Sequence, residues 1–270
     1  MTLWRAILLG MLQGATEFVP VSSSGHLVLV PWALGWAAPS LAFDAVVHLG
    51  TLLAVLTYFW TDVIALARGW VRTLRERRLE TTEGRLAWLI LISVIPGGVV
   101  GLLLDDWFEA LFSSPGAVAG LLLVTGLILY LSDRLVRGAL LQSDIGLRDV
   151  LVIGLAQGLA IAPGISRSGA TISAGLWRGL DRDAAARFSF LMGIPIVAGA
   201  AASALLDAAQ VGLTSGEGSA LVVGLVAAAL SGHLAIRYLL RYLRSRTLRP
   251  FAYYCWAAGL LGVLLHWARG

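Results

Sequence analysis

Two short stretches gather carboxylate, hydroxyl, imidazole and guanidinium side chains beside helix-breaking residues. Gln13 and Glu17 stand four apart, so a helix sets both on one face. Pro20 ends that helix, and Ser22, Ser23, Ser24 and Gly25 open the next. A helix start exposes unpaired N–H groups and the positive end of the dipole, which suits an anion. His26 follows three residues after Ser23. One stretch thus offers a carboxylate, hydroxyls, an imidazole and free amides. The other runs Pro163-Gly164-Ile165-Ser166-Arg167-Ser168-Gly169-Ala170-Thr171. Arg167 needs an anion there, either Glu17 in a buried ion pair or a phosphate gripped by its guanidinium fork. Ser166, Ser168, Thr171 and the glycine-opened helix start at Gly169 add donors. A serine run at a helix start is ordinarily only a cap, so the setting of these residues decides their meaning.

That setting is a membrane. The 270 residues are 58% hydrophobic and only 13% charged, with a mean hydropathy of +0.83. Soluble domains average about 25% charged residues, and this chain has too few to solvate an aqueous surface. One cysteine, Cys255, excludes an internal disulfide and a cysteine-based zinc site. Lysine is absent, which excludes Schiff-base chemistry, and so is asparagine, which excludes N-glycosylation. Six stretches are long and apolar enough to cross about 30 Å of hydrocarbon as helices. They are Leu41–Trp60, Leu86–Leu104, Gly116–Leu131, Phe188–Leu206, Ser219–Leu239 and Ala252–Trp267. The first apolar run leads from Arg5 into Gln13, Glu17 and serines without an A-x-A-like site, so no cleavable signal peptide is expected.

Arginine placement sets the orientation. Seventeen of the twenty arginines, from Arg68 to Arg85, Arg134 to Arg148, Arg178 to Arg187 and Arg237 to Arg249, fall on one side of the six stretches; Arg137 is among them. The opposite loops carry Asp105, Asp106, Glu109, Asp207 and Glu217. The arginine-rich side is therefore expected to be cytoplasmic. The sequence pI of 9.7 then reflects topology and anionic lipid rather than nucleic acid, for which no binding is expected. In such a setting an ionisable residue inside a membrane segment marks a functional site by default.

Residues 1–36 and 148–180 remain, each apolar at both ends and broken in the middle. Each suits a segment that dips in and returns, which the bilayer tolerates only where protein or water surrounds the break. The two are alike: at an offset of 144, Gln13, Gly14, Ser22, Ser24 and Gly25 match Gln157, Gly158, Ser166, Ser168 and Gly169. Three crossings between them invert the second copy. The expectation is an all-α polytopic membrane protein: six transmembrane helices plus two re-entrant helix hairpins in an inverted-topology repeat. The first repeat covers about 1–131 and the second about 148–270 within one membrane domain.

The segment QGATEFVPVSSSGHL, the later PGISRSGAT, the repeat and the length together resemble the undecaprenyl-diphosphate phosphatase family, the bacitracin-resistance proteins of bacterial inner membranes. The resemblance runs the whole chain. It implies a hydrolase converting undecaprenyl diphosphate to the monophosphate and inorganic phosphate, recycling the lipid carrier of peptidoglycan synthesis. It implies a cavity open to the outer side, and it puts weight on Glu17, Ser23, His26, Ser166, Arg167 and Thr171. The family pattern has Glu or Gln at position 13, and Gln13 leaves a divalent cation, Mg2+ or Ca2+, to Glu17, phosphate oxygens and water.

On this reading Glu17, Ser23, His26 and Arg167 are catalytic. Gln13, Ser22, Ser24, Gly25, Ser166, Ser168, Gly169 and Thr171 bind substrate. The nucleophile is Ser23 with His26 or Glu17 as base, His26 itself, or water activated by Glu17. A polyprenyl-phosphate flippase using the same anion site is the alternative, and a homodimer is left open. His48, His233 and His266 have no convergent partners in sequence and read as packing residues, as does Cys255, while Asp44 stands where it could edge the site.

Overall fold

The computed structural model describes residues 1–135, 140–211 and 217–269. Among these residues there are twelve α-helices, a 3-10 turn at Gln142–Asp144 and no strand. The helices are α1 (Leu3–Phe18), α2 (Ser23–Ala33), α3 (Leu41–Tyr58), α4 (Trp60–Glu76), α5 (Thr82–Leu103) and α6 (Asp105–Phe112). After them come α7 (Pro115–Leu135), α8 (Leu147–Leu159), α9 (Arg167–Trp177), α10 (Arg182–Val211), α11 (Glu217–Leu243) and α12 (Arg249–Arg269). Six of them, α3, α5, α7, α10, α11 and α12, are long and apolar enough to cross a membrane, so the chain is a multi-pass membrane protein.

The six predicted stretches fall on these six helices, but their ends differ. The first was expected to reach Trp60; it ends at Tyr58, and Trp60 opens α4 instead. α4 carries Arg68, Arg72 and Arg75 at helical spacing, a mixed sequence that no hydropathy window selects. Helices α10 and α11 outrun their apolar stretches to Arg182 and Leu243, because arginine stems lie along apolar surface while their heads reach out. Arg137 lies outside the described residues.

The arginine-rich end is tied together. Asp133, which is buried, accepts from Arg182 at 2.8 Å and from the Leu248 amide at 3.3 Å, and pairs with Arg249 at 3.1 Å. Arg187 pairs with Asp62 at 3.1 Å and Arg178 with Asp149 at 2.7 Å. These contacts join α4, α7, α8, α10 and α12 at one end of the bundle.

Helix pairing follows the two broken segments. α1 packs on α11 and α8 on α5; α11 lies against α3 and α5 against α10; α9 and α2 both rest on α7, and α2 also touches α12. Close approach is what glycine permits. A Cβ on Gly14 would overlap Ser231 and the Ala228 carbonyl of α11, and one on Gly158 would press on Val100 of α5. Gly10 and Gly154, one turn earlier, meet the Gly224 and Ser93 carbonyls in the same way. Small residues four apart are the usual device for tight helix pairing in a bilayer. Gly10 and Gly154 also stand 144 residues apart, so the likeness between the segments extends one turn beyond the five matched residues.

Candidate active site

The two helix breaks meet. α1 ends at Phe18 and α2 starts at Ser23, with Ser22 as its cap accepting the Gly25 amide at 3.2 Å. Ser166 caps α9 in the same manner, accepting the Gly169 amide at 3.0 Å. Ser22 Oγ then donates to the Ile165 carbonyl at 3.3 Å, joining one break to the other. Thr125 of α7 holds the second break from behind: it donates to the Gly164 carbonyl at 2.7 Å and accepts the Ser166 amide at 3.0 Å. Ser22 has φ 71°, a left-handed backbone that costs about 1–3 kcal/mol in a non-glycine residue.

Glu17 stands where the breaks meet, and three donors converge on it. Arg167 Nη2 reaches Oε1 at 3.0 Å, while Ser23 Oγ at 2.6 Å and Gln13 Nε2 at 3.0 Å share Oε2. The ion pair expected between the segments is therefore present, with Arg167 15% and Glu17 7% exposed. Arg167 spends only one nitrogen on Glu17. Its Nε and Nη1 are buried without a hydrogen-bond partner among the described residues.

A cavity of about 470 Å³ lies in front of these groups. Its wall includes Glu17, Ser23, Ser24, His48, Gln157 and Arg167. To the same cavity α5 and α10 contribute Gly97, Gly98, Gly101, Pro195 and Gly199. A Cβ at Gly98 or Gly199 would meet nothing within 4 Å, so no close helix contact demands glycine there and the wall is open. A second cavity of about 500 Å³ shares Ser24, His48 and Phe112 with the first. It leads past Leu27, Trp32, Trp36 and Asp44 toward the arginine-poor end.

The remaining sequence candidates separate by what they touch. Ser22 and Ser166 act as caps, so the Gly25 and Gly169 amides are already taken rather than free for an anion, as the sequence had suggested. Ser23 and Ser24 line the cavity from the unpaired first turn of α2. Ser168 is buried and bonds to Ser166 at 3.2 Å. Thr171 also faces inward: it donates to the Arg167 carbonyl at 2.8 Å and bonds to Ser189 at 2.6 Å, which makes it a brace for α9. Gln13 is fully buried behind Glu17 and holds the carboxylate from the rear.

His26 is turned away from Ser23 and Glu17. Its Nδ1 meets the Ser22 carbonyl at 2.7 Å and its Nε2 meets the Tyr254 hydroxyl at 2.7 Å. The carbonyl fixes the proton on Nδ1, so Nε2 accepts from Tyr254. Both nitrogens are used, and the carboxylate beside Ser23 is Glu17.

His48 corrects a sequence expectation. It has no partner within its own stretch, yet it lines both cavities, with Nδ1 fixed by the Asp44 carbonyl at 2.7 Å. Asp44, which the sequence placed at the edge of the site, lines the outer cavity. Sequence reading also missed Tyr254, Thr125 and Gly193. Gly193 brings α10 so close to Arg167 that a Cβ would overlap the guanidinium. None of these three sits in a break, so each is marked only by packing between distant helices. Cys255 is buried and packs by Pro20, and His233 lies against Tyr58, as packing residues do.

What the arrangement can do is clear from its charges. A serine hydroxyl bonded to a carboxylate can act as an activated nucleophile, and a guanidinium with two unpartnered nitrogens beside it can clamp an anion. The family model described as bacitracin resistance protein BacA matches residues 6–261. The undecaprenyl-diphosphatase of Thermomicrobium roseum is 44% identical over 273 residues, covering 98% of each chain. That of Gemmatimonas aurantiaca is 45% identical over 268 residues, 98% of this chain and 97% of its own. That of Moorella thermoacetica is 43% identical over 271 residues and covers 100% of both. Matched along nearly its whole length, the chain belongs to the bacitracin resistance protein BacA family.

Proposed function

We propose that this protein is a membrane phosphatase that hydrolyses undecaprenyl diphosphate to undecaprenyl phosphate and inorganic phosphate. It thereby recycles the lipid carrier of peptidoglycan synthesis and confers resistance to bacitracin. The observation that carries the reading is the Ser23–Glu17–Arg167 cluster on a cavity wall. The relatives' shared name, undecaprenyl-diphosphatase, supports the reaction over lipid translocation.

The diphosphate occupies the cavity before Arg167, and the prenyl chain lies along the open glycine wall of α5 and α10. Glu17 takes the Ser23 proton as Oγ attacks the terminal phosphorus. The Oγ–P bond forms, the bridging P–O bond breaks, and undecaprenyl phosphate leaves with the proton that Glu17 took. Water then attacks the phosphoserine with the Glu17 carboxylate again as base, and Glu17 hands the water's proton to Ser23 Oγ as the ester bond breaks and phosphate leaves. Arg167 Nε and Nη1 meet the charge on the transferring group, the main task in phosphoryl transfer.

No three His, Cys, Asp or Glu side chains among the described residues are grouped to hold a metal ion, and Glu17 is the one carboxylate among the residues named on the cavity wall. This donor set fits a cation that arrives with the diphosphate. Glu17 would hold it with phosphate oxygens and water, and Mg2+ or Ca2+ would supply charge neutralisation. Purified protein is then expected to release phosphate from undecaprenyl diphosphate with Mg2+ and to stop with EDTA. Titration calorimetry without substrate should show no tight Mg2+ site. Release undiminished by EDTA would overturn the cation requirement, and no release under any condition would overturn the phosphatase.

The arginine-rich end faces the cytoplasm of a bacterial inner membrane, so the cavities open outward. The likeness of the two broken segments and their matched helix pairings support two re-entrant hairpins in an inverted repeat, about 1–131 and 148–270. Gly193→Ala would push the Arg167 guanidinium from its place. Displacement of about 1 Å in a positioning group can cost about 10²-fold in rate. That loss in kcat/KM is expected with the fold kept, and wild-type kinetics in Gly193→Ala would contradict the placement of Arg167.

A further inference from the structure

Gln157 is a buried amide with nothing to bind. It lies in the last turn of α8, is 2% exposed, and lines the same cavity as Glu17, Ser23 and Arg167. Neither Nε2 nor Oε1 has a hydrogen-bond partner among the described residues. The matching residue of the first segment shows what is missing. Gln13 donates to Glu17, four residues on. Four residues on from Gln157 stands Ile161, which also lines the cavity and offers no acceptor. The second segment has kept the amide and lost its carboxylate. A buried donor left unpaired is destabilising, and native proteins rarely retain one without a use.

We propose that Gln157 is a substrate-binding residue whose carboxamide N–H groups donate to the phosphate oxygens of the lipid diphosphate. The inference rests on the reading of the cavity given above. A diphosphate presents more acceptor oxygens than the two unpartnered nitrogens of Arg167 can meet. A neutral amide adds donors without a second buried cation to compete for Glu17. It lines the same cavity as Ser23 and Arg167, so α8 would add a donor to those of α2 and α9.

The test is Gln157→Met, which keeps length and removes the amide, read by thermal stability in detergent and by steady-state kinetics with farnesyl diphosphate. A hydrogen bond to a charged group is worth about tenfold or more in affinity. The variant is expected to be at least as stable as wild type without ligand, since an unpaired polar group has gone. The stabilisation given by farnesyl diphosphate should shrink, and KM should rise about tenfold or more with kcat changed less. Gln157→Glu, which sets a negative charge against the anion, should raise KM further. Unchanged KM and ligand stabilisation in Gln157→Met would overturn the inference, because the amide would then be met by water alone. Lower stability without ligand would also overturn it, by revealing a partner within the protein. A wild type stabilised by farnesyl diphosphate that releases no phosphate would defeat the phosphatase reading and leave the role of Gln157 standing.

Discussion

Arg167→Ala is expected to abolish phosphate release, by about 10³-fold or more, because an arginine meeting transition-state charge in phosphoryl transfer is worth about that much. The change removes the guanidinium with its two unpartnered nitrogens from the cavity wall and also strips Glu17 of its ion-pair partner. Removing one member of a buried pair typically destabilises by about 3–5 kcal/mol, since the other charge is left uncompensated. Glu17 keeps its bonds to Ser23 and Gln13, which holds the loss toward the lower figure. The double variant Glu17→Gln/Arg167→Ala isolates the stability effect. It should recover much of the thermal stability, because no buried charge remains unpaired, and stay inactive, since it lacks both base and clamp. Wild-type turnover in Arg167→Ala at a temperature where that variant stays folded would mean that Arg167 is only a structural partner. Arg167→Lys should fold better than Arg167→Ala but remain poorly active, as an ammonium cannot hold Glu17 and a phosphate in one planar fork.

Ser23→Ala is expected to cost about 10³-fold or more in kcat, the scale seen when a covalent nucleophile is lost. Ser23 Oγ lies 2.6 Å from Glu17 Oε2 and on the cavity wall, so one short bond joins nucleophile and base. KM should change little, because Arg167 and the cavity are intact. Glu17→Gln should match Ser23→Ala in kcat, since the two act as a unit, and the double variant should be scarcely worse than either alone. His26→Ala should lose less than Ser23→Ala. Both its nitrogens are held by Ser22 and Tyr254, so its loss loosens the turn before Ser23 without removing the base. Ser23→Ala with near wild-type kcat would hand the attack to water.

The parts of this molecule set by local chemistry could be read in the sequence. The six crossings follow from apolar length, and both breaks follow from proline, glycine and serine clusters. Pro20 and the serine cluster even place the start of α2 beside Ser23, whereas α9 opens at Arg167, two residues before the Gly169 start expected. The pairing of Arg167 with Glu17 could be anticipated because a guanidinium at membrane depth has few possible partners. What depends on packing between distant helices could not be read. His48 and Tyr254 lie within ordinary apolar helices, and only the fold brings the first to the cavity and the second to His26. Gly193 is one of 31 glycines, and nothing in its neighbours says that it faces Arg167. The serines illustrate the reverse case. Their number suggested a cradle of free amides, whereas Ser22 and Ser166 spend their oxygens on Gly25 and Gly169, leaving Ser23 as the hydroxyl that faces Glu17. Helix α4 escaped notice because its alternating arginines lower the mean hydropathy of any window across it.

Attack by Ser23, activated by Glu17, leaves the phosphoryl group on the protein for the life of one turnover. A single turnover of detergent-purified protein with polyprenyl diphosphate, acid-quenched within milliseconds and analysed by peptide mass spectrometry, reads that intermediate. The expected result is phosphate on the peptide that contains Ser23, absent in Ser23→Ala and in Arg167→Ala. Full hydrolysis with no phosphorylated peptide at any time, or phosphate on His26 instead, would contradict it.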